Sequence, residues 1–202
     1  MISGERSISV AEFPTYSRWR HRNVKLRRKK LGSAAQSTSA SNTQAGTAQS
    51  GKVSPADKLF MRKAARGGKA EVELGKLAQE KASSPEVKQF GQRMVTDHSQ
   101  AANQLKQVAE QKGVTLPDTL SAKDKATKAR LEKLSGDQFD RAYMKDMVMD
   151  HTLDVREFKN EAKTGKDPDL KNFASQTAPT LEEHLKQAKS IAPKGSSQTA
   201  SR

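Results

Sequence analysis

The chain of 202 residues contains no cysteine, which excludes disulfides, thiolate metal sites and cysteine nucleophiles. Aromatic residues are scarce, at 4%, and hydrophobic residues reach only 33%, against roughly 45–50% (Gly included) in an ordinary globular chain. No run approaches the ~18 apolar residues of a membrane-crossing helix. Strict apolar/polar alternation never lasts long enough to suggest a sheet. With charged residues at 30%, this composition describes one folded domain diluted by polar segments.

Charge is distributed unevenly. Residues 1–53 hold ten Lys/Arg against two acids, Glu5 and Glu12. Eight of these bases (Arg18, Arg20, Arg22, Lys25, Arg27, Arg28, Lys29 and Lys30) form a run without one acid, with Trp19 and His21 among them. From Gly32 to Gly51 the chain is dominated by Ser, Thr, Ala, Gln and Gly. Such a segment has little to bury, so 1–53 reads as a disordered basic, low-complexity tail, and 193–202 reads the same way. Clustered Lys/Arg displaces counterions from phosphates, so the basic run is a candidate contact for nucleic acid or an anionic membrane surface. A solvated tail is the plainer reading. The apolar stretch of a secretory signal is not visible after these charges, because Leu31 is followed by Gly-Ser-Ala-Ala-Gln-Ser.

The segment 54–192 reads as a bundle of helices. Ser54-Pro55-Ala56-Asp57 combines a capping serine, proline at the first helical position and an acid in the first turn. Ser84-Pro85-Glu86-Val87 repeats the device and Asp167-Pro168-Asp169 resembles it, while Gly113, Pro117, Ser135-Gly136 and Gly165 punctuate the chain between. The spacing predicts four long helices with hairpins near 83 and 166. A crossover near 113–136 carries a short helix from Ser121. Gly67-Gly68, inside the first helix, is expected to permit close helix approach.

Each long helix carries an apolar stripe at spacings of four and three, the pattern of nearly parallel packing. One ionisable residue interrupts each stripe: Glu71, His98, His151 and His184. Counted from the hairpin at 83, Glu71 lies twelve residues back and His98 fifteen forward, a difference in level of roughly 4.5 Å. Counted from 166, His151 and His184 lie fifteen back and eighteen forward. His98 and His151 each lie fourteen residues past the start of their helix, so a crossover spanning the bundle brings all four groups into one layer. Met94-Val95-Thr96-Asp97-His98 recurs as Met147-Val148-Met149-Asp150-His151, with Glu183-His184 as a weaker third version. The acids Asp97, Asp150 and Glu183 sit about 100° round the helix from their histidines. They are better placed to orient a histidine of an adjacent helix than to share its ion.

Together with Ala70 to Ala78, Phe139 to Tyr143 and Glu183-His184-Leu185, the two Met-to-His segments resemble the bacterial ferritin-like family called domain of unknown function 4142. The resemblance covers Asp57 to Ile191. It implies an all-α, ferritin-like four-helix bundle with no established activity. Members commonly lie behind an export signal and are often labelled outer membrane proteins, which implies a periplasmic or outer-membrane location.

A layer of three histidines and one glutamate suits a single transition-metal ion: iron, manganese, zinc or copper. The Glu-x-x-His pairs of a di-iron carboxylate site are absent, since Val95, Val148 and Leu181 stand three residues before the histidines. The plainer alternative is a buried polar layer of neutral histidines bonded to Glu71, the aspartates or water. No serine has a histidine base at a recognisable spacing, no catalytic residue is assigned, and the reading leans against an enzyme. The methionines read as core filler rather than copper ligands, and Tyr143 as a packing residue at the bundle edge. Three functions follow: a ferritin-like envelope or stress protein binding one core metal, a non-metallic helical interaction module, or a DNA-associated ferritin-like protein using its basic tail. A homo-oligomer is compatible with each.

Overall fold

The computed structural model describes residues 53–192. The basic run from Arg18 to Lys30 and the segment 193–202 lie outside them. Five helices follow in order: α1 Pro55–Lys81, α2 Pro85–Gln111, α3 Ala122–Glu132, α4 Gly136–Thr164 and α5 Pro168–Ile191. Among the described residues there is no strand, and no helix is long and apolar enough to cross a membrane.

The expected start signals act as caps. Ser54 Oγ accepts from the Asp57 amide at 3.1 Å, and Ser84 Oγ from the Val87 amide at 3.3 Å. Ser121 and Asp124 form a capping box, and Asp167 accepts from the amides of Asp169 and Leu170. Ser135 makes no side-chain cap; the next residue, Gly136, has φ +58°, which a side chain would strain. Val53, assigned to the tail by composition, is instead buried at the foot of the bundle.

α1 packs along α2, and α4 along α5, as two antiparallel hairpins. The crossover returns the chain so that α2 and α4 start at the same end of the bundle. Each hairpin turn is tied to the other hairpin. The Ser83 and Ser84 amides donate to Asp140 at 3.2 and 2.8 Å, and Ser83 Oγ donates to Asp137 at 2.7 Å. At the opposite end, the amides of Lys166 and Asp167 donate to the buried Asp57 carboxylate, both at 3.1 Å. These ties set the relative heights of all four long helices.

The core is divided in two. Leu74, Phe90, Met94, Phe139, Tyr143 and Met147 belong to the cluster at one end; Phe60, Met61, Leu105, Phe158, Phe173 and Leu181 belong to the other. On every long helix the ionisable residue falls between the two clusters. Tyr143, expected at the bundle edge, is fully buried, stacked on Phe139 and edge-on to Phe90.

Close helix approach occurs at Gly75 and Gly91 rather than at Gly67-Gly68. A Cβ at Gly75 would meet the Gly91 carbonyl at 2.6 Å, and one at Gly91 would meet the Gly75 carbonyl at 2.7 Å. At Gly67 nothing lies within 4 Å. Gly75→Ala should therefore destabilise by roughly 1–3 kcal/mol through overpacking. Gly67→Ala should stabilise by about 0.5–1 kcal/mol through helix propensity. Paired thermal melts would show opposite signs.

The Asp57 end holds a second buried acid, Glu161, pushed up to about 7 by burial and then by the neighbouring Asp57 charge. A carboxyl raised in the folded state contributes stability that is complete below its ordinary value of 4.5 and lost as pH rises through 7. Between about pH 4.5 and 8, wild type should lose roughly 1–3 kcal/mol relative to Glu161→Gln. Denaturant titrations of both proteins across that interval would measure the difference.

Candidate metal centre

α2, α4 and α5 each place one histidine between the two apolar halves. His151 and His184 are wholly buried; His98 is 6% exposed and Glu71, from α1, 3% exposed. The ring centroids are 5.7 Å apart for His98–His151, and 5.3 Å for both His98–His184 and His151–His184. One ring nitrogen from each histidine lies within 4.8 Å of the other two. Phe90 presents itself edge-on to both His151 and His184, closing one side.

The opposite nitrogen of each ring is engaged outward. His184 donates from Nε2 to Asp97 Oδ2 at 2.7 Å, and Arg93 Nε donates to the same oxygen at 3.2 Å. His151 donates from Nδ1 to the Met147 carbonyl at 3.0 Å. His98 Nδ1 lies 2.9 Å from Glu71 Oε2, and His151 Nδ1 lies 3.3 Å from Glu71 Oε1, as charge contacts without the alignment of hydrogen bonds. His98 Nε2, His151 Nε2 and His184 Nδ1 then remain, all buried and without a hydrogen-bond partner among the described residues. Outward bonds of this kind select the tautomer and orient imidazoles around a metal ion.

The charge states follow from burial and neighbours. Burial would raise Glu71, but the charges of His98 and then His151 outweigh it and bring the carboxyl down to about 2. Burial would lower His98, but Glu71 reverses the effect and the ring is held above its usual value. His151 is lowered, chiefly by burial. His184 falls to about 4 because burial, reinforced by the other two rings, exceeds the support of Asp97. Two rings are therefore neutral with a bare nitrogen, and the third shares its charge with Glu71.

The site residues read from sequence divide accordingly. His98, His151 and His184 converge. Glu71, expected as a fourth ligand, stands behind the rings as their carboxylate. Asp97 meets the histidine of a neighbouring helix. Asp150 turns away to Lys123 of α3 at 3.2 Å, and Glu183 is exposed toward Lys186 at 4.0 Å. These two acids follow the chain repeat, but their helix faces point outward from the layer. Sequence reasoning missed Arg93, which holds Asp97, and Phe90, which stands edge-on to two of the rings; Arg93, four residues before Asp97, carried the helical spacing that could have found it.

A cavity of about 820 Å³ between α1 and α4, roofed in part by α3, reaches this layer on the side of Glu71 and His98. Leu59 and Leu153, 55% and 39% exposed, contribute to its lining.

The family model described as "Domain of unknown function (DUF4142)" matches residues 42–191, and the chain belongs to that family. No curated protein matches. Among solved structures, a DUF305 fragment from Deinococcus radiodurans is similar at TM-score 0.62 and 14% identity, covering 70% of this chain and 97% of its own. A DUF305 protein from Streptomyces coelicolor described as secreted is similar at TM-score 0.58 and 14% identity, covering 67% and 91%. CopM in its Cu(I)-bound form is similar at TM-score 0.56 and 18% identity, covering 66% and 93%. At these identities the likeness establishes the shared helical fold.

Ring titration provides a direct check of the site's electrostatics. In chelator-treated protein, nitrogen-detected NMR should find His184 titrating near 4 as the Nε2–H tautomer and His98 titrating above the ordinary value of 6.5. Three rings titrating together near 6.5 would contradict the charge assignment.

Proposed function

We propose that this protein is a metal-binding helical bundle that holds one transition-metal ion through His98, His151 and His184. The observation carrying the reading is the convergence of three buried imidazoles, each with one nitrogen bonded outward or at charge contact and the other without a hydrogen-bond partner among the described residues. A polar layer serving only structure would be expected to pair such nitrogens, because leaving one unsatisfied costs roughly 1–3 kcal/mol. A metal ion satisfies all three at once.

An all-imidazole donor set without thiolate suits zinc, copper, iron or nickel, and manganese less well. Copper binds most tightly in that series, and CopM, of the same fold, has been solved in copper-bound forms. Copper is therefore the preferred ion here. Three protein ligands leave coordination positions for water or a small molecule, as in open catalytic sites. Glu71 and Asp97 would orient the rings and strengthen them as donors. Family resemblance and the fold shared with a secreted protein support a location outside the cytoplasm. The basic run plays no part in this reading.

Elemental analysis of protein purified without chelator from copper-supplemented medium tests the proposal. About one equivalent of copper is expected in wild type, lost in His151→Ala and in His184→Asn. At free metal a thousandfold above Kd, binding should add about 4 kcal/mol of stability. Because the ion must displace the Nε2 proton of the charged His98 ring, while the Nδ1 proton stays with Glu71, affinity should fall as pH falls. A wild type that stays metal-free after incubation with copper or zinc would refute the proposal.

A further inference from the structure

We infer that the cavity between α1 and α4 is the route by which the metal cation reaches the three histidines, with Asp154 as the carboxylate that receives it on the way. This rests on the metal-centre reading and concerns how that site is loaded. His151 and His184 are wholly buried, whereas Glu71 and His98 are the members of the layer that line the cavity. Both are more than nine-tenths buried; the Glu71 oxygens are in charge contact with two rings, and His98 Nε2 has no hydrogen-bond partner among the described residues. Glu71 and His98 thus mark where the cavity comes up against the histidine layer.

The charges along the wall are graded. Arg62, Lys63 and Arg66 line the cavity from exposed positions on α1, where solvent screens them. Lys63 is spent on Glu157 at 2.7 Å, and Lys123 on Asp150 at 3.2 Å. Asp154 is half-buried and has no ion pair among the described residues. It lies one turn along α4 from His151, so the step between them is about 4.5 Å of helix rise.

Burial, and then the charges of Glu71, Asp150 and Glu157, push Asp154 up to about 9, with Lys123 opposing. Burial disfavours a bare cation as it disfavours the bare carboxylate, but the negative charges of Glu71, Asp150 and Glu157 attract a cation to this wall. The exchange balances: the cation bonds to the Asp154 carboxylate as its proton leaves to water. That bond then breaks as the ion passes to the rings: His98 gives up its Nε2 proton to water, and the Asp154 carboxylate takes up a proton again. Asp154 is outside the group of converging donors, so it affects the rate of loading and leaves the final site unchanged.

Stopped-flow uptake of Zn²⁺ from an indicator dye provides the test, with full-length wild type, Asp154→Asn and Lys123→Gln. Asp154→Asn should load about tenfold more slowly, with stoichiometry and affinity retained because release slows equally. Lys123→Gln should load severalfold faster, since its charge and its tie to α4 both oppose access. Loading of Asp154→Asn at the wild-type rate, or loss of its stoichiometry, would overturn the route. Slower loading in Lys123→Gln would also overturn it. Zn²⁺ that binds wild type while failing these kinetic criteria defeats the route and leaves the metal centre standing. No uptake by wild type defeats both.

Discussion

The relative height of the two helical hairpins is the constraint on which the rest of the structure depends. Donor atoms must converge within a few ångströms, and sliding one hairpin by a single residue shifts its histidine by about 1.5 Å. Two buried or half-buried acids prevent that slide. Asp140, near the start of α4, accepts the amides of the α1–α2 turn, and Asp57, near the start of α1, accepts those of the α4–α5 turn. Because the ties lie at opposite ends, they oppose both sliding and tilting. Gly75 and Gly91 add a lateral constraint by bringing α1 and α2 into backbone contact.

A layer of ionisable groups across a bundle core weakens hydrophobic packing, and the chain limits that cost by pairing. Asp97 with Arg93, the Met147 carbonyl and Glu71 each engage the outward side of a ring. The result is asymmetric: one nitrogen of each ring has no hydrogen-bond partner among the described residues, while the other is compensated. Phe90 and the apolar clusters above and below exclude water from that inward face. Low dielectric there keeps two of the rings neutral, the state in which imidazole donates to a metal.

The two open sides of the bundle are held differently. α2 and α5 are tied beside the layer by bonds of Asp97 to His184 and Arg93 to Gln187, both crossing the helix pair. The cavity between α1 and α4 is covered in part by α3, a helix that buries only Leu131 and is otherwise held by ion pairs from Lys123, Lys128 and Arg130. A roof held mainly by exposed charges is a weak structural element by comparison with the hairpins, because such pairs contribute only about 0–1 kcal/mol each.

The helices, their caps and the identity of the four interrupting residues are legible in the sequence because they depend on local rules. Serine before proline at the head of an apolar stripe favours a helix start through its own side chain and ring, as at Ser54 and Ser84, and a histidine within such a stripe lies on the core-facing side. Level arithmetic placed Glu71, His98, His151 and His184 in one layer for the same reason, since rise per residue is a property of the helix alone. Roles within the layer depend on rotation about each helix axis and on which neighbour fills the space opposite. Tertiary packing therefore decided that Glu71 backs the rings, that Asp97 reaches His184 while Asp150 turns to Lys123, and that Tyr143 is interior. It also decided that Gly75 and Gly91 touch where Gly67 does not, because the same residue type meets different surfaces across the bundle.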